Sequence, residues 1–560
     1  MKKTISVNHT AIGISKTPPL IVEYIEWVGK ELSQKKSHTT NPEQRLTQMF
    51  LDEHIPTALK LYRPILGRVE LRHIKDSIPI LCKIVGTFTG AIEYPATKDT
   101  EICIADYKAL KTKLFQGDSP EWMRFNVRSD KLFKWCSVVI GELVVSPMME
   151  LLPHERRKIV QAAILRVSTQ VVHLDTRIDD LANVLHDQHL NDQAHKLLST
   201  PLAQLETVTQ EMLATLNDYK GGIFKPYFEN TASLWGSVLT ELSTLCGPTP
   251  DHDPLMKGFL KNIQELMESM HFSVRLNRER TLPLMSEMEA KLSSNMMVKI
   301  IFDITKIFLR KEGIEFPAEI SESFSKFETD LQVLFRLANN IATREREVGE
   351  RDMTNMIFAV AEKFITGQFN IWQVTHPTES FQKFVSSERF ANGESDGFKW
   401  DSFAALFSLT DQENISGIIQ TIKTSVQTED LRLDSSTALN DVNYFIVSVR
   451  QLLTESSLAD ETRERISASL DLLEQALVME NKKTAVLCKF LLKPQVMAEF
   501  YTYWQDKSLV LDATIAENIS DTPMEWPHRA AYVASMEKYK DNNALFLLTH
   551  LVFSMVKGAT

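Results

Sequence analysis

The sequence has little of what marks several large classes of protein. Glycine occurs 19 times in 560 residues, and the strict polar–apolar alternation that is typical of strands is rare. No apolar stretch approaches the roughly 20 residues that a membrane-spanning helix needs. The cysteines are too far apart for a CxxC metal clamp or a disulfide framework, so we interpret them as reduced core thiols. They are Cys82, Cys103, Cys136, Cys246 and Cys488.

A concentrated basic stripe is also missing. Acidic residues outnumber basic ones by 73 to 62, the formal net charge is −11, and the lysines and arginines are scattered along the chain. Nucleic acid is therefore not expected as a partner. The first residues include two lysines but no continuous apolar region of the kind that a secretory signal needs. From these features we predict a cytoplasmic protein without a transmembrane segment.

What the sequence does contain is apolar residues at three- and four-residue spacing over long windows. Such spacing predicts amphipathic helices, and the fold class that we predict is all-α, a helical bundle. The two clearest windows run from Glu155 to Leu185 and from about Ser323 to Val348. Further helical windows are Thr207 to Asp218, Pro254 to His271, Ser286 to Leu309, Thr354 to Trp372, Asn443 to Leu453 and Glu461 to Met479.

Proline and glycine clusters divide this series at Gly247 to Pro254, Lys311 to Pro317 and His376 to Lys399. We predict three parts: an N-terminal region, 1–150, whose fold the pattern does not define; a helical core, 151–380; and a C-terminal helical region, 381–560, that completes the core or is appended to it. The motifs of phosphate loops, dinucleotide-binding folds, zinc proteases and serine hydrolases are missing.

An acidic pair stands at the end of the first long window. Asp175 and Asp179 are four residues apart, so their carboxylates project from one helical face about 40° apart around the axis. Like charges at this spacing repel each other unless a cation lies between them, and Mg²⁺ prefers oxygen ligands of this kind. The alternative is a solvated acidic turn in which Arg177 is a local partner.

A second polar row lies in the other long window. Asn339, Thr343 and Glu347 occur at i, i+4 and i+8, which aligns an amide oxygen, a hydroxyl and a carboxylate on one face. Asn and Thr are poor helix formers in a helix interior, so their presence beside apolar neighbours calls for a reason. The alternative is a polar helix edge in which Glu347 forms an ordinary ion pair.

These two stretches resemble the metal-binding motifs of class I terpene synthases. The stretch from Asn339 to Glu347 is similar to the NDxxSxxxE motif, with Thr343 in the place of serine. The stretch from Asp175 to Asp180 is similar to the DDxxD motif, with Thr176 in the place of the second aspartate. The resemblance covers about residues 155–375. It implies a helical bundle of the class I isoprenoid synthase type with extra N- and C-terminal helical regions.

The resemblance also implies an activity, that of a carbon–oxygen lyase. The metal ligands would be Asp175, Asp179, Asn339, Thr343 and Glu347, and all of these except Asp179 are also the expected catalytic residues. They would hold a cluster of Mg²⁺ ions, expected to be three, for which Mn²⁺ can substitute. The implied substrate is a prenyl diphosphate, farnesyl or geranylgeranyl diphosphate. The enzyme would release diphosphate and cyclise or quench the carbocation to a terpene.

The chain departs from the family at the arginine that senses the diphosphate. The corresponding neighbourhood holds Lys291 and no arginine, and a lysine lacks the bidentate fork of a guanidinium. The expected diphosphate-binding residues are therefore a set of candidates, and a homodimer is left open. The candidates are Arg275, Arg278, Lys291, Arg344 and Arg346.

Two other functions remain open. A prenyl-coupling enzyme similar to squalene or phytoene synthases is suggested by the sequence LDTRIDD, although that group carries a second Asp-rich motif where this chain has Arg344 and Glu345. A non-catalytic helical scaffold would explain the missing arginine. The loop-like segment with His186, His189 and His195 has no closed zinc spacing, and we interpret its histidines as solvated.

Overall fold

The computed structural model describes part of residues 144–164 and residues 188–222, 224–279, 283–350, 352–361, 410–428, 442–455 and 458–540. Within these ranges the regular structure is helical and no strand occurs, so the all-α prediction is confirmed. The longer helices are α1 (Gln188–Leu198), α2 (Leu202–Thr215), α3 (Lys225–Cys246), α4 (Pro254–Glu279), α5 (Met285–Leu292), α6 (Val298–Lys311), α7 (Ser321–Glu350), α8 (Thr410–Thr428), α9 (Val442–Glu455), α10 (Asp460–Leu491) and α11 (Pro494–Asp521).

Helix α7 is the centre of the main core. Every side chain from Leu331 to Ala338 is buried, and a helix that is buried on all sides must be surrounded by other elements. Helix α11 packs along it, and α6 and the end of α10 also contact it. The predicted window from Ser323 to Val348 is thus confirmed, with observed bounds two residues wider at each end.

Aromatic rings fill the core around the first turns of α7. Phe324 and Phe327 contact Phe302 of α6 with ring centroids 5.6 and 5.8 Å apart. Residues 529–540 are helical and return to this region, where Tyr532 and Tyr539 are completely buried. Buried aromatic groups of this size contribute strongly to the stability of a core. The C-terminal segment is therefore part of the same packed unit as α6 and α7.

Several predicted helix bounds need correction. The window from Ser286 to Leu309 is two helices, α5 and α6, because residues Ser293–Met296 form a 3-10 turn and Met297 has a left-handed backbone with φ of 60°. The window from Pro254 to His271 extends to Glu279, and that from Glu461 to Met479 extends to Leu491. Helices α1, α3, α8 and α11 were not predicted.

The turn after α6 follows from one glycine. Gly313 has φ of 77°, a left-handed conformation that an L side chain would strain. Its N–H donates to the carbonyl of Arg310, and the N–H of Ile314 donates to the carbonyl of Leu309, both at 2.9 Å. This Schellman arrangement ends the helix and directs residues 314–320 back toward α7. The predicted break from Lys311 to Pro317 is therefore confirmed.

A second, smaller core lies in the C-terminal region. Helices α8 and α9 and the first half of α10 bury Ile422, Phe445, Val449 and Leu470 against one another. Helix α10 then continues to Leu491, which is buried in the main core. No helix within the ranges that the structure covers is both long enough and apolar enough to cross a membrane.

Some sequence predictions fall outside the described residues. They include most of the helical window from Glu155 to Leu185 and, after Ala361, the rest of the window from Thr354 to Trp372. They also include the break from His376 to Lys399 and almost all of residues 1–150. The three-part division of the chain stays a prediction.

Candidate functional site

The predicted Asn/Thr/Glu row lies on the C-terminal half of α7. Asn339 and Thr343 are half-buried, and Glu347 is buried with 4% of its surface exposed. The hydroxyl of Thr343 donates to the carbonyl of Asn339 at 2.7 Å. Because the hydroxyl proton is used within the helix, the oxygen lone pairs of Thr343 point away from that bond. The row thus combines two partly accessible oxygen groups and one buried carboxylate.

The chain then folds back over this row in a turn, residues 352–357, which we call the Asn turn. Asn355 is completely buried, and its Nδ2 donates to the carbonyl of Asn340 at 3.0 Å and to Oε2 of Glu347 at 2.7 Å. In return, Oδ1 of Asn340 accepts from the N–H of Met356 at 3.2 Å. The Asn355 amide therefore links the Glu347 carboxylate to the backbone of the helix.

The start of the Asn turn is joined to α4. Oδ1 of Asp352 accepts from the N–H and the hydroxyl of Thr354, at 3.0 and 2.8 Å, and from Nδ2 of Asn277 at 3.0 Å. Oδ1 of Asn277 accepts from the N–H of Met353 at 2.7 Å. The turn is thus held by α4 on one side and α7 on the other, and this rigidity is what a preorganised site requires.

Arg336 is a residue that the sequence analysis missed. It lies one turn before Asn340 with 7% of its surface exposed, and its Nη2 donates to the carbonyl of Thr354 at 2.8 Å. Its Nε and the Nδ2 of Asn340 are buried donors that no acceptor in the described part of the chain satisfies. Unsatisfied buried donors are costly, so these two atoms mark a place that favours an acceptor. An arginine within a window of otherwise apolar residues is the sequence signal by which Arg336 could have been identified.

The predicted diphosphate-binding residues are not collected at one place by the described contacts. Arg344 is buried and donates to the carbonyl of Ile341 at 2.6 Å. Arg275 is exposed, with its guanidinium carbon 5.1 Å from the ring centroid of Phe272. Lys291 is exposed in the last turn of α5. The side chains of Arg278 and Arg346 lie outside what the structure describes.

Other predicted residues are placed as follows. Asp175, Asp179 and His186 lie outside the described residues. His189 and His195 belong to helix α1, so the prediction of a loop-like segment is wrong for these residues. Leu190 and Ala194, one turn apart on the same helix, are buried in the core. Among the residues whose side chains are described, no group of three His, Cys, Asp or Glu residues converges as a metal site would require.

Both histidines are half-buried rather than solvated. The ring of His189 lies 4.8 Å from that of Tyr219, and the ring of His195 lies 4.9 Å from that of His271. Burial lowers the pKa of His195, and the neighbouring His271 lowers it further. These contacts explain the histidines as packing residues between helices.

A second polar cluster lies near the other end of α7, where the sequence analysis predicted none. A cavity of about 640 Å³, the charged cleft, is bounded by α4, α6, residues 314–320 and the first turns of α7. Lys306 reaches two carboxylates there, with Nζ 2.9 Å from Oδ1 of Asp303 and 2.8 Å from Oε1 of Glu328. The other oxygen of Asp303 accepts from Nδ2 of Asn262 at 2.5 Å.

Burial dominates the ionisation of this cluster. It raises the pKa of Glu328, the attraction of Lys306 opposes this shift and the nearby Asp303 adds to it, so that the pKa is raised to about 7. Burial alone would lower the pKa of Lys306, but Glu328 and Asp303 outweigh that effect and raise it. The cluster therefore exchanges a proton at Glu328 near neutral pH, while Lys306 stays charged.

Comparison with known proteins adds no family to this geometry: the chain matches no family profile, no curated protein and no solved structure.

Proposed function

We propose that this chain is a Mg²⁺-dependent class I terpene synthase-like enzyme that ionises a prenyl diphosphate and releases diphosphate. The observation that carries the proposal is the arrangement on α7. A row of oxygen ligands, Asn339, Thr343 and Glu347, lies on the same helix as two buried donor atoms, Nε of Arg336 and Nδ2 of Asn340, that no acceptor among the described residues satisfies. Oxygen ligands suit Mg²⁺, and buried donors without acceptors suit an oxyanion. The all-α fold supports the proposal at a coarser level.

The chemistry of the three side chains fits a hard cation. The hydroxyl of Thr343 donates to a backbone carbonyl, so its oxygen remains an acceptor. The Asn355 amide donates to Glu347, and a hydrogen bond from a neutral donor orients a carboxylate ligand without neutralising it. These residues, with Asp175 and Asp179 by resemblance, would hold Mg²⁺. When bound, the metal would neutralise charge on the diphosphate and stabilise it as a leaving group.

The chain's own residues would perform three tasks. Asn355 would position the Glu347 carboxylate, because it joins that carboxylate to the backbone of Asn340. Arg336 would offer its Nε to a phosphate oxygen as a charge-assisted donor. The apolar residues around them, such as Leu337 and Ile341, are buried and would keep water from the reacting carbon.

The experiment is diphosphate release from farnesyl and geranylgeranyl diphosphate with and without Mg²⁺, with the product identified by mass spectrometry. We expect release that depends on Mg²⁺ and is abolished by Asn339→Ala and by Glu347→Gln. Thr343→Ala has a matched control in Thr329→Ala, since Thr329 also donates to a carbonyl one turn earlier in α7 but is exposed. We expect only the Thr343 variant to lose activity. Equal activity in both threonine variants would exclude Thr343 as a ligand.

A second candidate function is a non-catalytic helical scaffold. It is favoured by the Asn355 amide, which joins Asn340 and Glu347 as a purely structural polar seam would. The two candidates differ for Asn339→Ala. In the enzyme this variant loses turnover and keeps its melting temperature. In a scaffold, no Mg²⁺-dependent release exists to be lost, and the polar seam is tested at Asn355, where truncating the hydrogen-bonded amide lowers stability by about 1 to 3 kcal/mol.

A further inference from the structure

The floor of the charged cleft holds two carboxylates and one lysine. Asp303 and Glu328 share one cation, Lys306, and the side chains of the two acids are 6% and 7% exposed. Although Lys306 Nζ is close to Oε1 of Glu328, that oxygen receives no properly directed hydrogen bond from the described residues. A buried carboxylate in this situation is costly unless a further donor satisfies it. The floor of the cleft therefore favours an additional cationic donor.

The mouth of the cleft has the opposite imbalance. Lys261 and Lys299 share one carboxylate, that of Glu265, with Nζ atoms 3.6 and 3.9 Å from its oxygens. The side chains of these three residues are 76%, 24% and 35% exposed in that order, so they lie nearer to solvent than Asp303 and Glu328 do. The mouth thus favours an additional anion. Charge changes sign along the depth of a single cavity.

Two further features fit a small organic ligand. Phe316 and Phe324 line the cavity, their ring centroids are 5.0 Å apart, and aromatic faces attract cations. Lys306 already uses one such face, with Nζ 5.4 Å from the centroid of Phe324. The volume of about 640 Å³ is within the range of small-molecule pockets.

We propose that the charged cleft binds a small molecule that carries a primary ammonium group, seated beside Glu328 and the Lys306 ion pair at the floor of the cleft, and an acidic group near the two lysines of the mouth. The ammonium supplies the donor that Oε1 of Glu328 lacks and balances the second buried carboxylate. The acidic group pairs with the lysine charge that Glu265 leaves unbalanced. This site is independent of the metal row on α7, and its test does not depend on the proposed enzyme activity.

Binding is coupled to a proton. The charged groups that face Glu328 are Lys306, Asp303 and Lys299 from α6, together with the buried hydroxyls of Tyr532 and Tyr539, whose pKa values are raised by burial and then by neighbouring groups. Both tyrosines stay neutral at physiological pH. An ammonium group beside Glu328 favours its ionised form and lowers its pKa. Ligand binding therefore releases a proton near neutral pH, and affinity falls as pH drops below about 7.

The test is calorimetric titration of the full chain with three probes of similar size: 6-aminohexanoate, hexylamine and hexanoate. We expect saturable binding of 6-aminohexanoate, weaker binding of hexylamine and no binding of hexanoate. In buffers of different ionisation enthalpy, the heat at pH 7 should reveal proton release. Binding of hexanoate as tight as that of 6-aminohexanoate, the absence of any amine binding, or binding without proton release would overturn the proposal. Hexylamine binding as tightly as 6-aminohexanoate would overturn the role of the mouth lysines.

Variants locate the site within the cleft. Glu328→Gln should weaken the binding of 6-aminohexanoate at least about tenfold, because it removes one of the two buried carboxylate charges. Asp303→Asn should do the same and serves if the first variant does not fold. The matched control is Glu315→Gln, an exposed carboxylate of the same cleft, which should change affinity by less than about twofold. Equal losses in the Glu315 and Glu328 variants would contradict the buried position of the ammonium group.

Discussion

The Asn turn and the charged cleft both bury polar side chains against α7, the first at its C-terminal half and the second at its first turns. In the Asn turn, amide and backbone donors satisfy the carboxylates of Asp352 and Glu347, and the side chain of Asn355 alone makes three hydrogen bonds. In the charged cleft, one lysine serves two carboxylates. The comparison shows that carboxylates held by amide and backbone donors can be satisfied within the fold, whereas two carboxylates that share one lysine leave a requirement for a ligand or a proton.

The largest difference between the two regions is expected when the shared cation is removed. Lys306→Met leaves two buried carboxylates without a counter-ion, and breaking a buried pair in this way typically costs about 3 to 5 kcal/mol. The free energy of unfolding in urea measures this loss. The control is Lys326→Met on α7, which removes an exposed ion pair with Glu517. We expect an exposed pair to contribute little to stability, so the urea midpoint of this variant should stay near that of the unchanged protein. Similar urea midpoints for the Lys306 and Lys326 variants would mean that water solvates the carboxylates of Asp303 and Glu328.

The next effect is that of the central amide of the Asn turn. Asn355→Ala removes donors from Glu347 and from the carbonyl of Asn340, and unsatisfied buried acceptors cost about 1 to 3 kcal/mol. Thermal unfolding should show a lower midpoint. An exposed amide, Asn217→Ala, is the comparison and should have little effect, although it accepts from Lys225. A turn that tolerates Asn355→Ala as well as Asn217→Ala would not hold Glu347 in place.

A smaller and pH-dependent effect separates the regions further. The pKa of Glu328 is raised in the folded protein, so the folded state binds this proton more tightly than the unfolded state between about pH 4.5 and pH 7. The contribution of Glu328 to the free energy of unfolding is fully present at lower pH. It is lost as pH rises through about 7, at up to about 1.4 kcal/mol per pH unit. Urea unfolding from pH 5 to pH 8 measures the slope, and Glu328→Gln should flatten it. If Glu328→Gln leaves the pH dependence of the unfolding free energy unchanged, that dependence comes from another titratable group.

The sequence predicted some of these features for clear physical reasons. The apolar spacing predicted α7 from about Ser323 to Val348, so its existence followed from the pattern alone and its bounds followed to within two residues at each end. The break at Met297 did not, because a left-handed methionine has no local sequence signal. Nor did the charged cleft, because Asp303 and Glu328 belong to different helices and only the packing of α6 on α7 brings them together. An aspartate within the apolar run from Ile300 to Leu309 was the available hint.

The candidate metal row was predicted in part. The spacing of Asn339, Thr343 and Glu347 was sufficient to assign them to one helical face, but it could not indicate that Asn355 would hold Glu347, since that contact depends on the turn after α7. The spacing of motifs along the sequence did not identify Arg336, the arginine that we propose as a donor to the diphosphate. Arg336 emerged only from its burial and from its unsatisfied Nε.

The central claim is that the row on α7 binds Mg²⁺ together with a diphosphate. Calorimetric titration of Mg²⁺ into the protein, alone and with inorganic diphosphate, tests it most directly when a protein-free titration is subtracted and the Asn339→Ala variant is measured in parallel. We expect Mg²⁺ to bind more tightly when diphosphate is present, and this gain to disappear in the variant, because the ions bridge the row and the ligand. Mg²⁺ binding that is unaffected by diphosphate, or a gain that Asn339→Ala retains, would contradict the account.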